Sequence, residues 1–168
     1  KKENILTNKN EEYLGLINNK KNKLIDELNS GILGLKNINW DKINAEERVR
    51  LVVRENLRNY IKHLESLGSE LKKIGGEKKE IERVFLNFDK RAGVSYRKST
   101  FLIGKEIGVI DDSVKLFFID LKKIEGDNEK TLRNADLIEK VKEKLLGIKE
   151  IDKKIADVKE LADNNIKN

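Results

Sequence analysis

The chain contains no proline among its 168 residues. Proline interrupts helices, because it cannot donate a main-chain hydrogen bond and its ring clashes with the preceding turn. It is also one of the main residues of turns, so loop-rich and β-rich proteins usually contain it. A chain of this length without proline can form long helices with nothing to break them. The absence of proline therefore favours an all-helical fold.

Apolar residues recur at intervals of three and four along most of the chain, which is the spacing of one helix face. The clearest series continues through Gly68, and its members are Val53, Leu57, Tyr60, Ile61, Leu64, Leu67, Leu71 and Ile74. A single glycine destabilises a helix by only about 1 kcal/mol. We therefore predict one long helix, which starts at the capping residue Asn44 and ends near Gly75.

Glycines and capping residues divide the rest of the chain into further helices. They are expected at about residues 11–29, 77–92, 95–107, 111–125 and 128–163, with a packed connector at residues 32–42. The last of them repeats apolar residues close to a heptad seam, at Val141, Leu145, Ile148, Ile151, Ile155, Val158 and Ala162. The predicted architecture is an all-α, antiparallel bundle of five or six helices, two of them long. Residues 1–10 are expected to be a flexible tether and residues 11–168 a single domain.

Composition excludes several classes of protein. Cysteine is absent, which removes disulfides, thiolate zinc sites and thiol nucleophiles. Hydrophobic residues make up 38% and charged residues 39% of the chain, a content too apolar and too patterned for a disordered protein. The longest apolar runs, such as Leu116 to Ile119, are too short to span a bilayer. We expect a soluble chain.

The motifs of common catalytic sites are incomplete in this sequence. His63 is the only histidine, whereas zinc sites need three or four nitrogen or sulfur ligands. The segment from Gly93 to Arg97 lacks the second glycine of a hydrolase nucleophile elbow. Gly104-Lys105 lacks the remaining residues of a phosphate-binding loop. We therefore expect no catalytic residue, no metal and no cofactor, and a protein that acts by binding rather than as an enzyme.

Charge forms one ordered feature, although acidic and basic residues otherwise alternate. The net charge is +6, and four cations follow one another at intervals of four residues: Arg50, Arg54, Arg58 and Lys62. This basic face lies along one side of a helix and could bind phosphate, sulfate or an acidic patch of a partner. The other interpretation is a solvated face that Glu47 and Glu55 neutralise. We expect only weak binding of nucleic acid.

Aromatic residues are concentrated in one part of the chain, which we call the aromatic window. It contains all five phenylalanines and Tyr96, and with two glycines four residues apart it forms the candidate ligand-binding site: Phe85, Phe88, Tyr96, Phe101, Gly104, Gly108, Phe117 and Phe118. The window either fills the thickest part of the core or lines an apolar pocket. The two glycines either allow close helix packing or leave room for an acyl chain. Arg97, Lys98 and Lys105 are the cations nearest in sequence for a carboxylate head group.

The opening Lys1-Lys2-Glu3-Asn4 is similar to the polar tether that follows a lipidated cysteine. Together with the abundance of Lys, Ile, Asn, Leu and Glu and the helical patterning from Glu11 to Ile166, it gives a chain that resembles the helical outer-surface lipoproteins of Borrelia spirochaetes. The resemblance covers the whole chain but includes no branch-specific motif, so no functional residue carries over. It implies a surface-exposed domain that meets the outer membrane only through a lipid anchor and that binds a host protein or a lipid. A relapsing-fever branch is associated with fatty-acid or sterol binding.

Two hypotheses of function follow. The leading one is a surface antigen that binds a host-derived ligand, with a fatty acid in the aromatic window as one concrete version. The alternative is a cytosolic helical scaffold or nucleic-acid-binding protein that uses the basic face.

Overall fold

The computed structural model describes the backbone of residues 2–167 and the side chains of residues 8, 10–147 and 153–162. Its elements are helix α1 (Lys2–Lys36), a short 3-10 helix (Trp40–Lys42), helix α2 (Glu47–Lys73) and helix α3 (Lys78–Lys167). The described backbone contains helices and turns and no strand. The predicted all-α class is therefore confirmed.

The predicted number of five or six helices is not confirmed, because several glycines that were expected to end helices lie inside them. α1 continues through Gly31 to Lys36, since Ile32 and Leu35 extend its buried face. Gly93 and Gly126 both lie within α3. The loss of about 1 kcal/mol per helical glycine is small beside the burial of a whole apolar face.

α3 changes direction at Ile103, whose φ of −119° and ψ of 38° are not helical. Residues before this point contact residues after it in reverse order. Phe85 lies 4.8 Å from Phe118 between ring centroids, and farther from the reversal the Nζ atom of Lys78 lies 2.9 Å from Glu125 Oε2. Residues 78–102, the first arm, and residues 104–126, the second arm, therefore lie side by side and antiparallel.

One compact unit, Glu11–Gly126, contains most of α1, all of α2 and both arms of α3. Ion pairs connect its neighbouring helices: Lys36 with Glu65, Arg91 with Glu70, and Lys20 with Asp120. With the contacts between the two arms, these ion pairs show that α1 neighbours α2, α2 neighbours the first arm, the first arm neighbours the second arm, and the second arm neighbours α1. Each segment runs antiparallel to the segments that it neighbours. This unit is thus an antiparallel arrangement of four helical segments.

Most of the buried residues of this unit are apolar. Apolar side chains with no exposed surface come from every segment, and among the described residues they are Leu28, Leu67, Leu71, Ile81, Ile103 and Ile107. Burying a side chain of this size contributes roughly 1.5–3 kcal/mol. Because Ile103 is among them, the reversal of α3 is stabilised by packing at its own position.

The other compact unit combines the first residues of α1 with the part of α3 that follows Gly126. Its most evident feature is the predicted seam. Of the seam residues, Val141, Leu145, Ile155 and Val158 are each at least half exposed. The side chains of Ile148 and Ile151 lie outside the described residues. The described part of the seam is therefore an apolar helix face that meets solvent.

Candidate functional site

The structure divides the aromatic window into three parts. The first is a cluster of Phe85, Phe117 and Phe118, whose ring centroids lie 4.8 to 6.1 Å apart. Phe85 and Phe117 are buried, and Phe118 packs against them as a partly buried residue. These three rings pack against one another and leave no room for a ligand between them, so this part of the window is packed core.

The second part is a cleft between α2 and the two arms of α3. Phe88 and Tyr96 meet Tyr60 of α2 there, at centroid distances of 6.1 and 5.5 Å. The cleft has a volume of about 350 Å³, and we call it the acidic cleft because it contains two aspartates. Its lining residues are Tyr60, Leu64, Leu67, Phe85, Phe88, Asp89, Ala92, Gly93, Tyr96, Ile110, Asp111, Val114 and Lys115.

Polar groups in the acidic cleft are held in a defined geometry. The hydroxyl of Tyr96 donates a hydrogen bond of 2.7 Å to Asp111 Oδ2. This hydrogen bond, with burial and the negative charge of Asp111, raises the pKa of Tyr96 to about 12. Burial also raises the pKa of Tyr60, and the nearby charges of Asp111 and Asp89 add to the increase. Both phenols therefore remain protonated at neutral pH, so each hydroxyl can donate a hydrogen bond.

The third part is Phe101, which lies apart from the other phenylalanines and is 77% exposed. It borders a groove of about 510 Å³ between the start of α2 and the end of the first arm. We call this the basic groove, and its lining residues are Arg48, Val49, Val52, Val53, Arg97, Lys98 and Phe101. Its lining therefore combines apolar side chains with three cations.

The cations of the basic groove are available to a ligand. Among the side chains that the structure describes, Arg48, Arg97 and Lys98 form no ion pair. Arg97 and Lys98 were predicted as head-group cations, whereas the contribution of α2 was not anticipated. A signal for it exists in the sequence, because each helix has a cation followed four residues later by an exposed apolar residue, Arg48 by Val52 and Arg97 by Phe101.

The two glycines of the predicted site line neither the acidic cleft nor the basic groove. A Cβ atom built at Gly104 or Gly108 would have no other heavy atom within 4 Å in the described structure, so both positions face open space. Lys105 is likewise absent from both linings. The structure thus does not bring these residues together with Phe85, Phe88 and Tyr96.

The predicted basic face makes local contacts with the connector before α2. The Nη1 atom of Arg50 donates to the carbonyl oxygens of Trp40 and Ile43, at 3.5 and 3.4 Å. The guanidinium of Arg54 lies 6.0 Å from the centre of the Trp40 ring, within the range of a cation–π contact. Arg58 pairs with Glu55 at 3.4 Å, and Lys62 is exposed. Two of the four cations therefore hold the connector, which accords with a structural role for this face.

Neither a metal-binding cluster nor a membrane-spanning segment occurs in the described part of the chain. No three His, Cys, Asp or Glu side chains lie close enough there to hold a metal ion. None of the described helices has a stretch that is both long and apolar enough to cross a membrane. His63 lies half-buried on α2.

Comparison of the chain with protein-family models, with curated proteins and with solved structures found no match. The acidic cleft and the basic groove are therefore the candidate sites of this protein.

Proposed function

We propose that this protein is a non-enzymatic binding domain that holds a single-chain anionic amphiphile, such as a fatty acid, in the basic groove. The observation that carries the proposal is the exposure of Phe101, 77%, beside valines and three cations without ion-pair partners among the described side chains. Apolar surface that is exposed and bordered by polar groups is typical of binding sites. An amphiphile covers such a surface with its chain and meets the cations with its head.

The chemistry of the lining matches both ends of this ligand. Val49, Val52 and Phe101 supply apolar contact for an acyl chain. Arg48 and Arg97 can each form two parallel hydrogen bonds to a carboxylate. Burying about eight methylenes contributes roughly 6 kcal/mol before the loss of motional freedom is subtracted. We therefore expect dissociation constants on the order of 0.1–1 mM, since ion pairing offsets part of that loss.

The first test is calorimetric titration of the delipidated protein with decanoate and with decanol, which share one chain length and differ in charge. Saturable binding of decanoate, and binding of decanol at least about tenfold weaker, are expected, because only the carboxylate can pair with the cations. Raising the salt concentration should weaken the binding of decanoate.

Matched variants locate the binding in the groove. Phe101→Ala and Arg97→Gln should each weaken decanoate binding by about fivefold or more, which corresponds to roughly 1 kcal/mol. The controls are Leu116→Ala, which removes another exposed apolar side chain, and Arg83→Gln, which removes another exposed arginine of α3. If each control weakens binding as much as its matched variant, the basic groove is not the site.

Anionic lipid in a membrane presents the same head-group chemistry as a free amphiphile. Vesicles of phosphatidylglycerol and of phosphatidylcholine separate the two sources in a sedimentation assay. The proposal predicts saturable decanoate binding with little protein on either vesicle. If the protein sediments with phosphatidylglycerol in a way that depends on Phe101 and shows no saturable decanoate binding, the groove binds a membrane surface and not a free amphiphile.

We also propose that this domain is displayed on the cell surface by a lipid anchor. The support is the resemblance to Borrelia lipoproteins described above, which implies an exposed domain that meets a host-derived ligand. A gene that encodes a signal peptide ending in cysteine directly before Lys1, and digestion of the protein on intact cells by added protease, are the expected results. Protection from the protease until the cells are lysed would favour the cytosolic alternative.

A further inference from the structure

The acidic cleft differs from the basic groove in both shape and charge. Its walls include the rings of Tyr60, Phe88 and Tyr96, and its volume of about 350 Å³ lies within the range of small-molecule sites. The rings come from two helices, α2 and the first arm of α3. The second arm closes the cleft with Asp111 and its neighbours.

The two carboxylates of the cleft retain hydrogen-bonding capacity. Among the described side chains, Asp111 accepts one hydrogen bond, from Tyr96 to its Oδ2 atom, and neither Asp111 nor Asp89 is within ion-pairing distance of a cation. Lys115 is the one cation among the lining residues, and it is exposed. The formal charges of the lining are therefore two negative and one positive.

We propose that the acidic cleft binds a small organic cation, an amine or a quaternary ammonium group that carries an apolar portion. The faces of aromatic rings attract cations, and this attraction strengthens where water is excluded. Carboxylates at the same cleft add a charge of the required sign. An anion would be repelled by Asp89 and Asp111, and a neutral ligand would gain no charge attraction from them.

This inference is independent of the ligand proposed for the basic groove. The groove has three cations and one aromatic side chain, whereas the cleft has two carboxylates and several aromatic rings. The two sites therefore select ligands of opposite charge. Lys115 opposes a cation in the cleft, so Lys115→Gln should strengthen its binding.

The test uses phenethylamine, which is a cation at pH 7, and phenethyl alcohol, which has the same ring and chain without the charge. Calorimetric titration of the full chain should give saturable binding of the amine. The alcohol should bind at least about tenfold more weakly, because its hydroxyl can donate a hydrogen bond to a carboxylate but carries no positive charge. Equal binding of the two probes would overturn the proposal, and so would absence of saturable amine binding.

Variants that remove one charge without changing the shape of the side chain locate the site. Asp111→Asn and Asp89→Asn should each weaken amine binding by about fivefold or more. The matched control is Asp112→Asn, which changes the exposed neighbour of Asp111 and should leave binding unchanged. Thermal unfolding shows whether each variant is folded. If Asp111→Asn does not fold, amine binding by Asp89→Asn alone tests the site. Amine binding that is unchanged in both Asp111→Asn and Asp89→Asn would rule out the cleft as the site.

Discussion

Lys21 is a charged residue inside the bundle, with only 2% of its surface exposed. Its Nζ atom donates a hydrogen bond to the carbonyl oxygen of Ile74, the residue that follows the end of α2. The last carbonyls of a helix have no partner within the helix, so they need a donor from elsewhere. Burial lowers the pKa of Lys21, which reflects the loss of water around its charge. The side chain therefore stabilises the end of α2 despite its desolvation.

Lys21→Met keeps the length of this side chain and removes the donor. We expect the free energy of unfolding in urea to fall by about 1–3 kcal/mol, because the carbonyl of Ile74 is left without a hydrogen bond. The control is Lys23→Met, which changes an exposed lysine in the same helix that pairs with Glu27 at 4.0 Å. Exposed pairs contribute little, so its effect should remain below about 1 kcal/mol. Equal effects of the two substitutions would contradict the assigned role of Lys21.

The aromatic residues illustrate what could be predicted about the sites from the sequence. Phe85 and Tyr96 are eleven residues apart, which at 3.6 residues per turn places them within about 20° on one helix face. Phe101 is sixteen residues from Phe85 and thus about 160° away, on the other side. The angular spacing predicts that Phe101 separates from the cleft once residues 85–101 form one helix. The predicted helix end at Gly93 concealed this relation.

The partners that α2 contributes could not be predicted in the same way. Tyr60 reaches the cleft and Arg48 reaches the groove only because α2 packs antiparallel to the first arm of α3. Sequence spacing describes faces within one helix and does not specify which faces of two helices meet. The sequence contains many similar polar residues, so the ones that line the cleft and the groove could not be identified from it.

At Gly31, α1 and the second arm of α3 approach each other closely. A Cβ atom at this position would lie 2.5 Å from Cγ1 of Ile110, a residue that is itself buried. At Gly34, one turn farther along α1, a Cβ atom would meet no other heavy atom within 4 Å. The same helix thus has one glycine required by packing and one that is not.

Alanine substitutions should separate these two glycines. Gly31→Ala is expected to destabilise the protein by about 1–3 kcal/mol, because the added methyl group forces Ile110 or the helix to move. Gly34→Ala should stabilise it by about 0.5–1 kcal/mol, since alanine is the better helix former. Chemical unfolding monitored by circular dichroism measures both changes in the free energy of unfolding. Stabilisation by both substitutions would show that the two helices do not approach closely at Gly31.

The reversal at Ile103 is the element that the sequence did not reveal. A helix was predicted across it, at about residues 95–107, and Gly104 beside it was interpreted as allowing close helix packing or leaving room for an acyl chain, not as part of a turn. Apolar spacing predicted α2 well, since it depends on local periodicity alone. The reversal depends instead on contacts between residues distant in sequence, such as Phe85 with Phe118. Local patterns contain no information about such contacts.

The hydrophobic core is confined to one part of the chain. Its buried members extend from Ile17 to Leu121, and the partly buried residues packed on them extend from Tyr13 to Ile124. Within the described part of α3 after Gly126, none of the side chains belongs to this core. The acidic cleft and the basic groove are also lined by residues between Tyr13 and Ile124.

A fragment of residues 11–126 should therefore fold as the full chain does and retain both sites. Since the core remains complete, we expect its thermal midpoint to stay within about 5 °C of that of the full chain, a shift that corresponds to roughly 1 kcal/mol for a domain of this size. The fragment should also bind decanoate and phenethylamine as the full chain does.

The control fragment, residues 11–102, ends before the second arm and lacks the buried side chains of Ile107, Ile110 and Phe117. It should unfold without a cooperative transition, because the faces of α1 and the first arm that pack on these residues would meet water. Circular dichroism during heating measures both fragments. Loss of the cooperative transition in residues 11–126 would mean that the four segments need the rest of the chain to fold. A cooperative transition in residues 11–102 would mean that the second arm is not part of the minimal core.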